Sequence, residues 1–263
     1  MSILASKNHE QQEYYIYIDG PRNQSDIALI EEVYDLVKSN LGHLNIKVKR
    51  REKNIGLANS VISGVSEVLN TVPNVIVLED DLVLHYNFFD YILKALDFYE
   101  EHKNIISISG YQPMTFEMEI GSSTYLAPRV HSWGWATWKD RWNNIDWNLD
   151  SIMEFCLDEK WVRRFESGGP DLLPMLLDQL NKHINSWAIR FNYHATMHNL
   201  YTVYPSKTFV LNKGFDGTGI HCGTNSLIQN RVFVSDCENL SEWKFDTKTH
   251  SKIVELFYNS FKN

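Results

Sequence analysis

Three carboxylates stand in succession at Glu79-Asp80-Asp81, directly after the apolar run Val75-Ile76-Val77-Leu78. Adjacent acids repel one another, so holding them together calls for something positive among them. A hard divalent cation such as Mg²⁺ or Mn²⁺ takes oxygen ligands and is typically shared between one or two carboxylates and substrate phosphates. The same three residues would also serve as an acidic helix start after a core strand, and spacing alone does not choose between the two.

The elements around this run decide where it sits. Val75–Leu78 follows the break Thr71-Val72-Pro73-Asn74 and reads as a strand buried on both faces. Its carboxyl end, carrying the acids, falls where open α/β sheets hold their ligands. Upstream, residues 13–18 read as an aromatic-rich strand ending at Asp19-Gly20-Pro21, and Ser25 opens a helix with Ile30, Val33, Tyr34 and Val37 inward, ending near Gly42. Residues 45–49 alternate as a short strand. A polar loop over 50–59 leads into a helix with Ala58, Val61, Ile62, Val65 and Leu69 on its buried stripe. A helix over 87–102 and a strand over 104–110 continue the alternation. This is the spacing of βαβ units, and it predicts an α/β, doubly wound, mainly parallel sheet with right-handed crossovers. The second half is less regular. It holds the tryptophan-rich stretch 131–142, helices over 151–166 and 171–184, a strand over 202–211, a glycine-rich loop over 213–221, and a strand and helix over 241–258.

Composition narrows the function classes. The 263 residues suit one α/β domain, with no internal repeat or clear linker. A net charge of −8 argues against a general nucleic-acid binder, which needs a basic footprint. No apolar run approaches the roughly 18 residues of a membrane span. Cys156, Cys222 and Cys237 are odd in number and show no CxxC spacing, which suggests neither a disulfide framework nor a zinc site; a reducing cytoplasm fits best. Residues 1–5 are too short for a signal-peptide core. His194 and His198, four apart, have zinc-binding spacing but no HExxH pattern, and read as non-metal residues near the acceptor side or the surface.

Three stretches together carry a resemblance: Ile76-Val77-Leu78-Glu79-Asp80-Asp81-Leu82, Ser132-Trp133-Gly134-Trp135-Ala136-Thr137-Trp138 and Phe215-Asp216-Gly217-Thr218-Gly219-Ile220-His221, with Asp19 ending an earlier strand and Asn54-x-Gly56 opening a helix. The chain resembles the GT-A glycosyltransferases over nearly its whole length. Within them it is similar to the bacterial sugar transferases of capsule and surface-polysaccharide clusters, distant relatives of N-acetylglucosaminyltransferase I. The resemblance implies a single Rossmann-like domain, with 1–110 as nucleotide-binding half and 111–263 as acceptor-side half. It implies a nucleotide-sugar donor, a UDP sugar by the pattern, and a Mn²⁺ or Mg²⁺ cofactor. The acceptor would be a glycan or a lipid-linked oligosaccharide, with at most peripheral contact at the inner membrane face.

Residue by residue, the resemblance gives Asp19 to the uracil imide, against an Asx turn as the local alternative. Arg51, Asn54 and Gly56 fall in a loop against base or ribose, or else form a plain helix entry. Asp81 becomes the metal ligand, with Glu79 and Asp80 on sugar or ribose hydroxyls, and His221 completes the metal or diphosphate site. Trp133 or Trp135 would form a sugar platform, while Trp138 and Trp142 are structural. The Trp-Asp-Asp stretch that supplies the base in the animal relatives has no equivalent acid here after Trp187. Asp178 is therefore the first candidate base and Asp171 the second, either of which could instead cap a helix. The chain opens within what corresponds to the group's first helix, which leaves open a sheet lacking its first strand. Two other readings stay in view: an inactive nucleotide or sugar binder on the same fold, and a metal-dependent nucleotidyltransferase or phosphohydrolase.

Overall fold

The computed structural model describes residues 2–114, 122–214, 233 and 240–262. A short helix α1 (Ser2–Ala5) precedes β1 (Tyr14–Ile18), α2 (Asp26–Leu41), β2 (Ile46–Arg50), α3 (Leu57–Leu69) and β3 (Asn74–Val77). Then come β4 (Leu82–Leu84), α4 (Phe88–Tyr99), β5 (Ile105–Ser109), β6 (Thr124–Ala127) and β7 (Trp135–Trp138). Helices α5 (Lys139–Trp142), α6 (Ile152–Leu157), α7 (Glu159–Glu166), α8 (Leu172–Leu180) and α9 (Trp187–Met197) follow, with β8 (Tyr201–Pro205), β9 (Val210–Asn212) and α10 (Ser251–Asn259) completing the described elements.

The fold is mixed α/β, and its sheet is not mainly parallel. Five strands form a sheet in the order β3-β7-β5-β8-β6, while β1-β2 and β4-β9 form two separate two-stranded sheets. Among the described residues, parallel pairing joins only β1 to β2 and β5 to β8; β3/β7, β5/β7, β6/β8 and β4/β9 are antiparallel. The βαβ alternation of the first half matches the parallel β1/β2 pair alone, since β8 lies in the second half and β3 pairs antiparallel with β7. It was silent on β6 and β7, which enter the sheet without a crossover helix and so are free to run against their neighbours.

Three helical expectations also change. Val33 is exposed, as are Leu29 and Leu36, and only Ile30, Tyr34 and Val37 of the expected stripe are half-buried. Residues 151–166 break into α6 and α7 at Asp158, whose carboxylate accepts from the Lys160 amide and caps the second helix. Residues 187–197, which carried no strong sequence signal, form α9, opened by Ser186 accepting from the Ile189 amide. No strand is found among the described residues of 241–258. No helix among the described residues is long and apolar enough to cross a membrane.

The core lies on both sides of the five-stranded sheet. On one side α4 buries Phe88, Tyr91, Ile92, Ala95, Leu96 and Tyr99 against Ile105, Ile108, Val203 and Val210. On the other, α3 and α9 pack Val65, Leu69 and Phe191 against Trp135, Trp142 and Ile106. A smaller cluster holds α6 to α9 together through Phe155, Phe165, Leu176 and Tyr193.

Candidate active site at the acidic rim

β3 stops at Val77, opposite Trp135 of β7, and the acids occupy the turn between β3 and β4. The antiparallel pairing of β4 with β9 then sets the loop after β9 beside Asp81: the Lys213 amide donates to the Asp81 carbonyl at 2.9 Å. Asn212 is buried, hydrogen-bonds to the Asp81 carboxylate, and accepts from the Gly214 amide at 2.7 Å through Oδ1. Gly214 completes the cradle. A Cβ at this position would lie 2.4 Å from Asp81 Oδ2, so only the absence of a side chain lets the loop close over the carboxylate.

The electrostatics of this corner are dominated by its acids. Asp81 Oδ1 is buried with no hydrogen-bond partner among the described residues. Burial raises the Asp81 carboxyl above the ordinary range, opposed by the Asn212 hydrogen bond. Glu79 is pushed up to about 7, first by burial and then by the charges of Asp81 and Asp80. Asp80 is exposed. A buried, orphaned carboxylate oxygen is costly unless a cation meets it, so this corner fits a hard divalent ion held by one carboxylate and completed by substrate oxygens. Among the described residues no three acid, His or Cys side chains converge as a full ligand set. His221 lies outside the described residues; Lys213 and Gly214, which open its loop, are the part that meets Asp81.

Asp19 works on the backbone around it. Its Oδ1 accepts from the amides of Gly20 at 2.9 Å and Ile55 at 3.1 Å, and its Oδ2 from Gly56 at 3.0 Å. Asn54 donates to the Gly20 carbonyl at 3.1 Å. These bonds hold Asp19, Asn54 and Gly56 in one turn, with Gly56 at φ +78 in a conformation that a side chain would strain. Arg51 reaches Ser63 Oγ at 2.7 Å and lies over the Tyr17 ring, so its guanidinium lines α3. The start of α3 is at the carboxyl end of β1, and β3 begins after the far end of α3. The carboxyl ends of β1 and β3 therefore share one edge of the fold.

The tryptophans divide cleanly. Trp135 is fully buried, stacked on Trp187 at 4.9 Å and on Trp142 at 5.7 Å, and is core; the expectation that it could face a sugar is corrected by this packing. Trp133 is only half-buried, at the rim, edge-on to Tyr111 at 4.4 Å and His131 at 4.9 Å. Register runs Val77 opposite Trp135 and Ser109 opposite Trp135, so Glu79, Trp133 and Tyr111 emerge side by side. Tyr111 and Asn212 went unnoticed in the sequence. Their only signal was position: each closes a strand at this same edge.

The two candidate bases differ in what holds them. Asp171 accepts from Arg129 Nη1 at 2.7 Å through Oδ1 and from Nη2 at 2.8 Å through Oδ2, with the guanidinium also stacked on Phe261. Asp178 stays exposed on α8, 3.3 Å from His183 Nδ1, and among the described residues no hydrogen bond joins either acid to the Glu79–Asp81 corner. α8 reaches the rim indirectly, through Gln179 Oε1, which accepts from the Ser186 amide at the head of the helix bearing Trp187. His194 is buried rather than at the surface; burial and then His198 push it down to about 4, and its Nδ1 accepts from the Asp146 amide.

Comparison with models of known protein families finds no match to this chain, and no curated protein sequence matches it.

Proposed function

We propose that this chain is a metal-dependent glycosyltransferase of the GT-A type, moving a sugar from a nucleotide sugar, by the sequence pattern a UDP sugar, to a glycan or lipid-linked acceptor. One observation carries the reading: an orphaned, buried carboxylate oxygen on Asp81, in a cradle shaped by Asn212 and Gly214. When bound, Mn²⁺ or Mg²⁺ would supply Lewis-acid stabilisation to the departing diphosphate.

The chain's own residues would do the rest. Asp81 and the neighbouring Asn212 hold the ion. Asp19 has both carboxylate oxygens engaged by the amides of Gly20, Ile55 and Gly56, so its part would be to shape the loop of Asn54 and Gly56 against which a base would lie. Glu79 and Asp80 face donor hydroxyls. Trp133, half-buried at the rim, would offer its aromatic face to a pyranose, whose CH-rich side packs on an indole, with the buried Tyr111 behind it. Asp178 would take the acceptor's proton, since Asp171 has both oxygens engaged by Arg129.

That engagement of Asp171 favours a second reading, a binder without turnover. The experiment separating the two is a pair of measurements on the intact chain: thermal stability with UDP and Mn²⁺ together against each alone, and sugar transfer or hydrolysis from a panel of nucleotide sugars. Stabilisation by the pair with turnover supports the transferase. Stabilisation without turnover supports the binder, and no joint stabilisation removes both. Turnover of nucleoside triphosphates instead would point to a nucleotidyltransferase or phosphohydrolase.

A further inference from the structure

Trp133 stands just before β7, Tyr111 just after β5, and Asn212 at the end of β9, so three separate segments build the aromatic rim and the acidic cradle. They meet directly behind the site. The Gly110 amide donates to the Gly134 carbonyl at 2.6 Å, and the Gly110 carbonyl accepts from the Phe209 amide at 2.8 Å. A second set of bonds lashes the same stretches: the Gln112 amide donates to Thr208 Oγ1 at 3.3 Å, and that hydroxyl donates to the Val210 carbonyl at 2.8 Å.

The packing at this crossing leaves no slack. A Cβ on Gly110 would lie 2.9 Å from the Gly134 carbonyl oxygen and 2.9 Å from Val210 Cγ2, and a Cβ on Gly134 would lie 2.7 Å from the same methyl group. Val210 is itself fully buried, and the Phe88 ring of α4 closes the crossing from behind. One residue on from Gly110 is Tyr111, and one back from Gly134 is Trp133. Two on from Val210 is Asn212, kept in register by the pairing of Val210 with Leu84 and of Asn212 with Leu82. A close-packed interior transmits strain, so a shift in any of the three segments reaches the other two.

We propose that Gly110, Gly134 and Val210 are positioning residues that hold the Trp133 platform in fixed relation to the Asp81 cradle, so that one extended ligand, a sugar joined to a nucleoside diphosphate, is gripped at both ends together. All three are buried, and they act through Trp133 and Asn212. The identity of the ligand rests on the transferase reading, whereas the coupling of the two ends is a property of the free chain.

The test compares Gly134→Ala, Val210→Ala and the double variant with the parent, each on the full chain, by two-dimensional NMR without ligand. Each substitution is read at the far end: Gly134→Ala at the Gly214 amide and the Asn212 side-chain amide, Val210→Ala at the Trp133 indole N–H. Both far-end signals are expected to move. In the double variant, where the added methyl takes the space of the one removed, they should return toward the parent positions. In titrations with Mn²⁺ and UDP, Gly134→Ala should weaken binding about fivefold or more although no cradle residue has changed, and the double variant should recover most of that loss. A merely structural role would lower the melting midpoint and leave the far-end signals where they were, which overturns the proposal. A double variant no closer to the parent than Gly134→Ala overturns it too. If Gly134→Ala does not fold, the Trp133 signal of Val210→Ala and the recovery of folding in the double variant decide in its place. A parent that binds no UDP with Mn²⁺ removes the transferase reading, while the ligand-free spectra still decide the coupling.

Discussion

Gly214 and Asp81 are fitted to each other: the backbone of one closes over the carboxylate of the other with no room for a methyl group, 2.4 Å separating Oδ2 from where a Cβ would be. Gly214→Ala is therefore expected to push the loop off Asp81 and break the Asn212 bond to the Gly214 amide. The stabilisation by UDP with Mn²⁺ should disappear in differential scanning, while the midpoint of the ligand-free protein moves far less. Asp81→Asn should give the same loss with the loop intact.

Glu79 and His194 tilt the stability curve in opposite directions. Glu79 is raised from 4.5 to about 7 in the fold, so the folded state holds its proton longer and stability falls as pH rises between those values. His194 is lowered from 6.5 to about 4, so the unfolded state takes the proton first and stability falls as pH drops through that window. Each is a contribution on the order of 3 kcal/mol at most. The parent protein should be nearly flat between pH 5 and about 6, in urea titrations read against pH. Glu79→Gln should leave only the acid-side loss, and His194→Asn only the loss on the alkaline side. Mn²⁺ with UDP should reduce the alkaline-side loss by neutralising the corner.

Asp171→Asn should cost about 1–3 kcal/mol, since it leaves the half-buried Arg129 charge with one carbonyl and an aromatic face. Its residual turnover per folded molecule should stay near that of the parent. Asp178→Asn should do the reverse, leaving the melting midpoint unchanged and abolishing transfer while donor binding persists. Circular-dichroism melts and a transfer assay on the two variants read both effects.

Trp133→Ala and Trp135→Ala should part company in the same way. Trp135 is locked in the core, and its truncation should cost about 3–5 kcal/mol or prevent folding. Trp133→Ala should fold, keep UDP-dependent stabilisation, and raise KM for the sugar donor or acceptor. Steady-state kinetics on the folded Trp133 variant decide it.

Much of the site's address could be read from the chain. Val75–Leu78 announced a strand and the acids announced its rim, because a run of β-branched residues ending in charge has few other places to go. Asp19 and the 54–56 loop met because a short acid after a strand pairs readily with free amides at a helix start. The misses have a common cause. Trp135 and Trp133 are the same residue type two positions apart, and what separates them is that β7 begins at Trp135, so Trp133 lies before the strand, at the rim. Without knowing that 135–138 is a strand, nothing distinguished the core indole from the rim one. Asn212 was invisible for a related reason, since its importance comes from pairing with Leu82, a partner far away in sequence.

That distant pairing sets the order in which the molecule can assemble. The ribbon of residues 82–84 with 210–212 closes a loop that contains about half the chain, and such closure waits until the intervening elements have condensed. Kinetically, the acidic corner is therefore among the last parts to form and has no counterpart in a partly folded chain, so on the proposed reading a metal or nucleotide would trap the finished structure without hastening the steps before it.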